Sequence, residues 1–158
     1  MTSIEKERRK EIALILSKLT LEEKVSLMIH ESMAVPRLGI EEFHWWGEGL
    51  HGVGRRGYAT VFPQAINLAS TFDTELVRKV ADIISTEARA KHNEAFKAGQ
   101  KGKNTGLTFW SPNINIARDP RWGRAQETYG EDPCLTSRIG ASFVRGLQGD
   151  DPDNLKVA

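Results

Sequence analysis

The sequence has 158 residues, about the size of one domain, and 39% of them are hydrophobic, which is enough for a packed core. The 27% of charged residues excludes a disordered or membrane-embedded composition. The net charge is +1, from 22 basic and 21 acidic residues, so no basic face is indicated and a nucleic-acid partner is not expected.

The first ten residues are dense in charge and contain no apolar segment, so no secretory signal is predicted. No apolar run is long enough to span a bilayer. We therefore expect a cytoplasmic protein with no membrane partner. The single cysteine, Cys134, excludes an intrachain disulfide, and it is expected to be a packing residue because no base lies near it in the sequence.

Four helices are predicted in chain order. Residues 5–18 form an amphipathic helix by their periodicity, and Thr20 with Glu23 makes a capping box that starts a short second helix. Asp73 is a predicted N-cap for a long helix that ends near residue 97, and Asp132 with Pro133 opens the last helix. The side chains expected to face inward on the second helix are Val25, Leu27 and Met28.

Three short apolar segments are predicted strands, at residues 43–46, 107–110 and 155–158, whereas residues 62–70 are compatible with either helix or strand. Strands that alternate with helices favour an α/β fold with a parallel sheet. A closed (β/α)8 barrel takes about 250 residues, so this chain is expected to hold only the first part of one. Because the sequence stops within a predicted strand, we interpret it as truncated.

Residues 45–52 form a loop after the first predicted strand and combine two indoles, a carboxylate, an imidazole and three glycines. Ligands of parallel α/β folds meet the loops that follow the strands. A pyranose ring lies well on an aromatic face, and carboxylates accept hydrogen bonds from its hydroxyls. The cluster therefore favours a sugar site, although core tryptophans with a solvated Glu48 are the alternative.

A second loop, residues 111–124, carries three arginines and is followed by several acidic residues. One interpretation is an ion-pair network that holds a long loop, particularly for Arg118 and Arg121. The other is that at least one arginine directs its donors at ligand hydroxyls. The four histidines show no metal-ligand spacing, so no zinc site is predicted, and the sequence contains no phosphate-binding glycine loop.

An ordered set of motifs covers the chain from about residue 19 to its end. Its main members are LTLEEKV at 19–25, WWGEGLHG at 45–52, TVFPQAI at 60–66, STFD at 70–73, GLTFWSPNIN at 106–115, RDPRWGR at 118–124 and ETYGEDP at 127–133. This set resembles the amino-terminal barrel domain of glycoside hydrolase family 3. We accordingly divide the chain into a helical extension, residues 1–18, and a barrel segment, residues 19–158.

The resemblance implies a hydrolase of O-glycosyl bonds, a retaining exo-β-glycosidase that releases terminal β-linked xylose or glucose from oligosaccharides without a cofactor. Such enzymes use two carboxyl groups roughly 5–5.5 Å apart. Glu48 and Arg124 match residues that bind the terminal sugar, Trp110 matches an aromatic position of the same subsite, and Trp46 matches its entrance wall. His51, within the same motif, is also expected to contact substrate.

The resemblance also implies that no catalytic residue lies in this chain, because no Ser-Asp nucleophile motif occurs in it and the acid/base belongs to a later domain. The missing carboxy-terminal remainder is thus a predicted partner, and the chain alone is expected to be inactive. Glu48, longer than aspartate, favours xylose slightly over glucose. A noncatalytic carbohydrate-binding or interaction fragment, or a nonfunctional truncated product, are the alternatives.

Overall fold

A computed structural model describes residues 3–151 and 153–158 of the chain. The helices are α1 (Ser3–Lys18), α2 (Leu21–Ser26), α3 (Ala65–Ala69), α4 (Thr74–Lys97) and α5 (Pro133–Gln148), and the two strands are β1 (Glu31–Ser32) and β2 (Phe43–His44). The chain divides into two compact units, up to His44 and from Trp45 onward. The boundary placed at residues 18/19 stays a prediction.

The first unit begins with two helices. The predicted capping box is confirmed: the Glu23 backbone N–H donates to Thr20 Oγ1 at 3.2 Å, and Glu23 Oε2 accepts from the Thr20 N–H at 2.8 Å. Glu23 also pairs with Arg37, and the Arg37 hydrogen bond holds the pKa of the Glu23 carboxyl below its usual range. The prediction that Val25 and Met28 face inward is wrong, because both side chains are exposed.

A short hairpin closes the first unit. β1 and β2 pair antiparallel, with Glu31 opposite His44 and Ser32 opposite Phe43. Further along the hairpin Val35 and Ile40 exchange backbone hydrogen bonds of 2.8 and 3.2 Å. Between them the chain turns through Pro36 and ends the turn at Gly39, whose φ of 69° suits glycine.

The second unit is built on α4 and α5, whose mutual contact is the most extensive helix–helix contact among the described residues. Asp73 caps α4 by accepting from the N–H groups of Glu75 and Leu76, and Asp132 caps α5 by accepting from Leu135 N–H at 2.6 Å. Both predicted helices are therefore confirmed. Their inward stripes form one core with α3, centred on buried residues Val77, Val80, Ile84, Ile139, Phe143 and Leu147.

Gly146 allows α4 and α5 to approach closely. A Cβ added there would lie 2.4 Å from the Arg78 carbonyl oxygen and 2.6 Å from Ala81 Cβ. The Gly146 carbonyl accepts a buried hydrogen bond from Ser85 Oγ at 3.0 Å. Cys134, at the outer face of α5, is exposed, so its expected packing role was wrong.

Three extended segments of the second unit lie side by side, as a parallel sheet requires. Gly47 forms a parallel bridge with Phe109 through bonds from Gly47 N–H to Thr108 O (2.9 Å) and from Trp110 N–H to Gly47 O (3.0 Å). Ala158 continues the pattern on the other side, by donating to Leu107 O and accepting from Phe109 N–H. These segments are the first strands of a (β/α)8-type α/β barrel, although their pairing is too short to count as full strands.

None of the helices among the described residues is both long and apolar enough to cross a bilayer.

Candidate functional site

The first loop of the site follows the Gly47 bridge. Gly49 donates its backbone N–H to Ser111 Oγ at 3.1 Å, which fixes the first loop to the second. A Cβ at Gly49 would lie 2.4 Å from the Phe109 ring, so only glycine lets the ring lie against this backbone. The turn is closed by a bond from Gly54 N–H to Glu48 O at 2.8 Å. The Glu48 backbone is thereby held in this turn, one residue after the Gly47 bridge.

All five residues predicted for the site line one cleft of about 570 Å³. Trp46, Glu48 and His51 come from the first loop, Trp110 comes from the end of the segment before the second loop, and Arg124 comes from the second loop. These two groups are far apart in the sequence, and the parallel pairing of residues 47 and 109 brings them together. Core residues were the alternative interpretation of the two tryptophans in the first loop; of these, Trp46 is half-buried and lines the cleft.

An indole stack forms that wall. The Trp110 ring centroid lies 5.3 Å from that of Trp45, with the rings 9° from parallel, and 4.9 Å from that of Trp46 at 23°. Trp110 Nε1–H donates to the Trp45 carbonyl at 2.8 Å, and Lys103 Nζ lies 4.1 Å from the centre of the Trp46 ring. Such offset stacking and the cation above the ring hold the aromatic surface in place.

Glu48 is partnered within the cleft. Its Oε2 accepts from Arg55 Nε at 3.0 Å, and its Oε1 lies 3.5 Å from Trp46 Nε1. Arg55 also lines the cleft, and its backbone φ of 60° is in the left-handed region, which is unfavourable for a side chain of this size. The sequence pattern had not predicted Arg55 as a residue of the site.

Arg124 is turned toward Glu127, with its Nε–H donating to Glu127 Oε2 at 3.0 Å. This hydrogen bond raises the pKa of the Arg124 guanidinium. The ion-pair interpretation of the second loop is confirmed for Arg121, which binds both carboxylate oxygens of Asp119, at 2.9 and 2.6 Å. Arg118 donates instead to the side-chain oxygen of Asn115 at 2.7 Å.

Two further groups of the lining were missed by sequence reasoning. Gln64 Oε1 and Asn113 Nδ2 are buried and have no hydrogen-bond partner among the described residues. His51 is positioned by a contact from its Nδ1 to the Phe62 carbonyl at 2.9 Å. Buried amide groups without partners are unfavourable unless a ligand or water satisfies them.

The cleft has the chemistry of a site for a neutral, hydroxyl-rich ligand. Its lining carries two arginines and two glutamates that pair with each other, so no net charge remains to hold a phosphate or a cation. An indole wall and convergent amide, carboxylate and guanidinium groups are what a sugar ring requires. A larger cavity of about 880 Å³ borders α3 and is mostly apolar, but it contains none of the five predicted residues.

The parallel segments and their helices place the chain in the α/β class, as the first part of a (β/α)8-type barrel, and comparison with known proteins agrees. The sequence profile of the glycosyl hydrolase family 3 N-terminal domain matches residues 14–157. The chain belongs to this family.

Individual relatives are similar over most of this chain. A xylan 1,4-β-xylosidase of Xylanibacter ruminicola is 54% identical over 135 residues, which are 84% of this chain and 16% of that protein. Among solved structures, a family 3 exo-β-xylosidase in complex with a xylobiose aziridine probe has a TM-score of 0.73 and 38% identity, over 90% of this chain and 19% of that one. β-Glucosidase 3B of Thermotoga neapolitana, solved with α-D-glucose, has a TM-score of 0.64 and 31% identity, over 87% and 21%. The chain thus spans about a fifth or less of each relative.

The structure also brings together residues that the sequence had not connected, since the spacing of the histidines had predicted no zinc site. One ligand atom from each of His30, Glu31 and His44 lies within 4.8 Å of the others. They belong to the hairpin of the first unit, and none of them lines the sugar-type cleft.

Proposed function

We propose that this chain supplies the sugar-binding groups of a retaining exo-β-glycosidase that releases terminal β-linked xylose or glucose from oligosaccharides. The observation that carries the proposal is the single cleft in which Trp46, Glu48, His51, Trp110 and Arg124 converge. Glu48 and Arg124 accept from and donate to hydroxyls of the terminal sugar, and the indole wall contacts its C–H face.

The two ion pairs of the cleft prepare these groups for a ligand. Arg55 holds the Glu48 carboxylate and Glu127 holds the Arg124 guanidinium, so each functional group is fixed before a sugar arrives. Positioning of this kind lowers the entropy lost on binding. The reacting carboxyl pair is proposed to come from outside this sequence, which contains no Ser-Asp dipeptide. We therefore expect no hydrolysis of aryl β-glycosides by the isolated chain.

Xylose is the favoured sugar. The carboxylate at position 48 is a glutamate, whose extra methylene occupies space that the hydroxymethyl group of a hexose needs. The similarity to a xylan 1,4-β-xylosidase that is 54% identical supports this choice.

Shortening the carboxylate side chain at position 48 tests whether this residue binds the substrate and whether it sets the preference for xylose. In the complete gene product, Glu48→Asp is expected to lower the ratio of kcat/KM for an aryl β-xyloside to that for an aryl β-glucoside, because space opens beside the sugar ring. The matched control is Glu94→Asp, on an exposed part of α4. An unchanged ratio would remove Glu48 from the proposed specificity role, and activity of the rigorously purified 158-residue chain would overturn the assignment of catalysis to another segment.

A further inference from the structure

The hairpin of the first unit contains a group of side chains that sugar binding does not use. Glu31 and His44 are directly opposite each other across the β1–β2 ladder, and His30 immediately precedes β1. Glu31 Oε1 lies 3.6 Å from His44 Nε2, and the two imidazole rings have centroids 5.9 Å apart. We infer that His30, Glu31 and His44 form a binding site for a divalent transition-metal ion of the Zn²⁺ type.

The distances fit such an ion. Zn²⁺ lies about 2.0–2.1 Å from nitrogen and oxygen ligands in a tetrahedral arrangement, so two ligand atoms of one ion are roughly 3.4 Å apart. The separation of 3.6 Å between Glu31 and His44 is close to this value. All three ligand atoms lie within 4.8 Å of one another, so closing the set needs a shift on the order of 1 Å.

The ligand types select the class of metal. Two imidazoles and one carboxylate form a set that binds zinc and similar first-row ions, whereas Ca²⁺ and Mg²⁺ prefer oxygen ligands alone. Three protein ligands leave a fourth position for water. His44 is mostly buried, with 19% of its side chain exposed, and its Nδ1 has no hydrogen-bond partner among the described residues.

The ion would join two strands that are otherwise weakly connected. β1 and β2 are two residues long, and an isolated two-stranded ladder is marginally stable. A metal bound across the ladder stabilises only the folded hairpin, so it acts as a crosslink.

Titration of the untagged 158-residue chain with Zn²⁺ against a competing fluorescent zinc chelator tests the site, at a chain concentration low enough that ultracentrifugation shows a monomer. We expect one saturable site per chain, and both Glu31→Gln and His44→Gln should raise its Kd at least about tenfold, since even loss of a group that only supports a ligand weakens metal binding by that much. Matched controls are Glu22→Gln on α2 and His92→Gln on α4, which should bind as the unchanged chain does.

Absence of saturable binding, or binding that survives both hairpin substitutions, would overturn the site. If a variant loses its helical circular dichroism signal, it is misfolded and its Kd is not informative. The site is then tested in the unchanged chain through the NMR signals of the histidine rings. NMR signals of His30 and His44 should move on addition of Zn²⁺ while those of His51 and His92 stay, and any other pattern contradicts the inference.

Discussion

At the scale of single residues, the cleft consists of paired charges that face a common space. Glu48 pairs with Arg55 and Arg124 with Glu127, so both functional groups have a partner within the cleft. The motif WWGEGLHG made Glu48, Trp46 and His51 predictable, because an indole, a carboxylate and an imidazole between glycines are typical of a ligand loop. Arg55, Gln64 and Asn113 were not predictable, since only the folded chain brings them to the same wall.

The second loop provides a test of side-chain electrostatics. Hydrogen bonds from Arg121 hold the pKa of the Asp119 carboxyl below its usual range. A carboxyl with a depressed folded-state pKa contributes stability above its unfolded-state pKa, and the contribution is lost as the pH falls through the folded-state pKa. Because the pair is exposed, its effect on stability should be small.

The quantity to measure is therefore the pH midpoint at which the Asp119 carboxyl is protonated. In an NMR titration of the chain, the Asp119 carboxyl should protonate at lower pH than the same group does in Arg121→Ala. Equal midpoints in the two proteins would mean that the Arg121 contact is not populated in solution.

At the scale of elements, the helices were far more predictable than the strands. α4 and α5 each carry a capping aspartate and an apolar stripe within one continuous segment, so their signals are local. The predicted strands depend on partners far along the chain: residue 47 pairs with 109, and 109 pairs with 158. The hairpin register that opposes Glu31 to His44 was missed for the same reason, because spacing alone does not report register.

The cap of α4 gives a stability prediction. Asp73→Ala should lower the free energy of unfolding by about 1 kcal/mol, because the N–H groups of Glu75 and Leu76 lose their acceptor. Asp73→Asn keeps an acceptor and should stay close to the unchanged chain. Urea unfolding followed by circular dichroism measures both, and equal destabilisation by the two changes would contradict a capping role.

The close contact between α4 and α5 gives a second prediction about stability. Gly146→Ala should destabilise the chain by about 1–3 kcal/mol, because the added methyl would overlap the Arg78 carbonyl and Ala81. Gly123→Ala is the matched control, since a Cβ there meets nothing within 4 Å. Urea unfolding followed by circular dichroism measures both variants. Equal free energies of unfolding would mean that α4 and α5 can move apart to accept the methyl group without losing stability.

At the scale of the molecule, the chain presents much apolar surface for its size. Trp110 and Ile114 are each 55% exposed, and Val61 and Phe72 about three-quarters exposed, although all four are large hydrophobic residues. Among the described residues, the backbone hydrogen bonds of Ala158 go only to residues 107 and 109, which leaves the other side of this segment as an open edge. Exposed apolar faces and open edges favour association.

The isolated 158-residue chain should therefore be unstable and self-associating. We expect a broad thermal transition by circular dichroism and a mass distribution above the monomer in analytical ultracentrifugation, increasing with concentration. A sharp, cooperative transition from a monomer would contradict this expectation and would indicate that the barrel segment folds by itself.

The proposed binding of the terminal sugar by Glu48 is tested most directly by kcat/KM for an aryl β-xyloside in the complete gene product. Glu48→Ala should lower kcat/KM about 10- to 100-fold, as expected for loss of a charged hydrogen bond, while Glu94→Ala on α4 should leave it unchanged. Equal activity of the two variants would contradict the account, since the carboxylate would then take no part in binding the substrate.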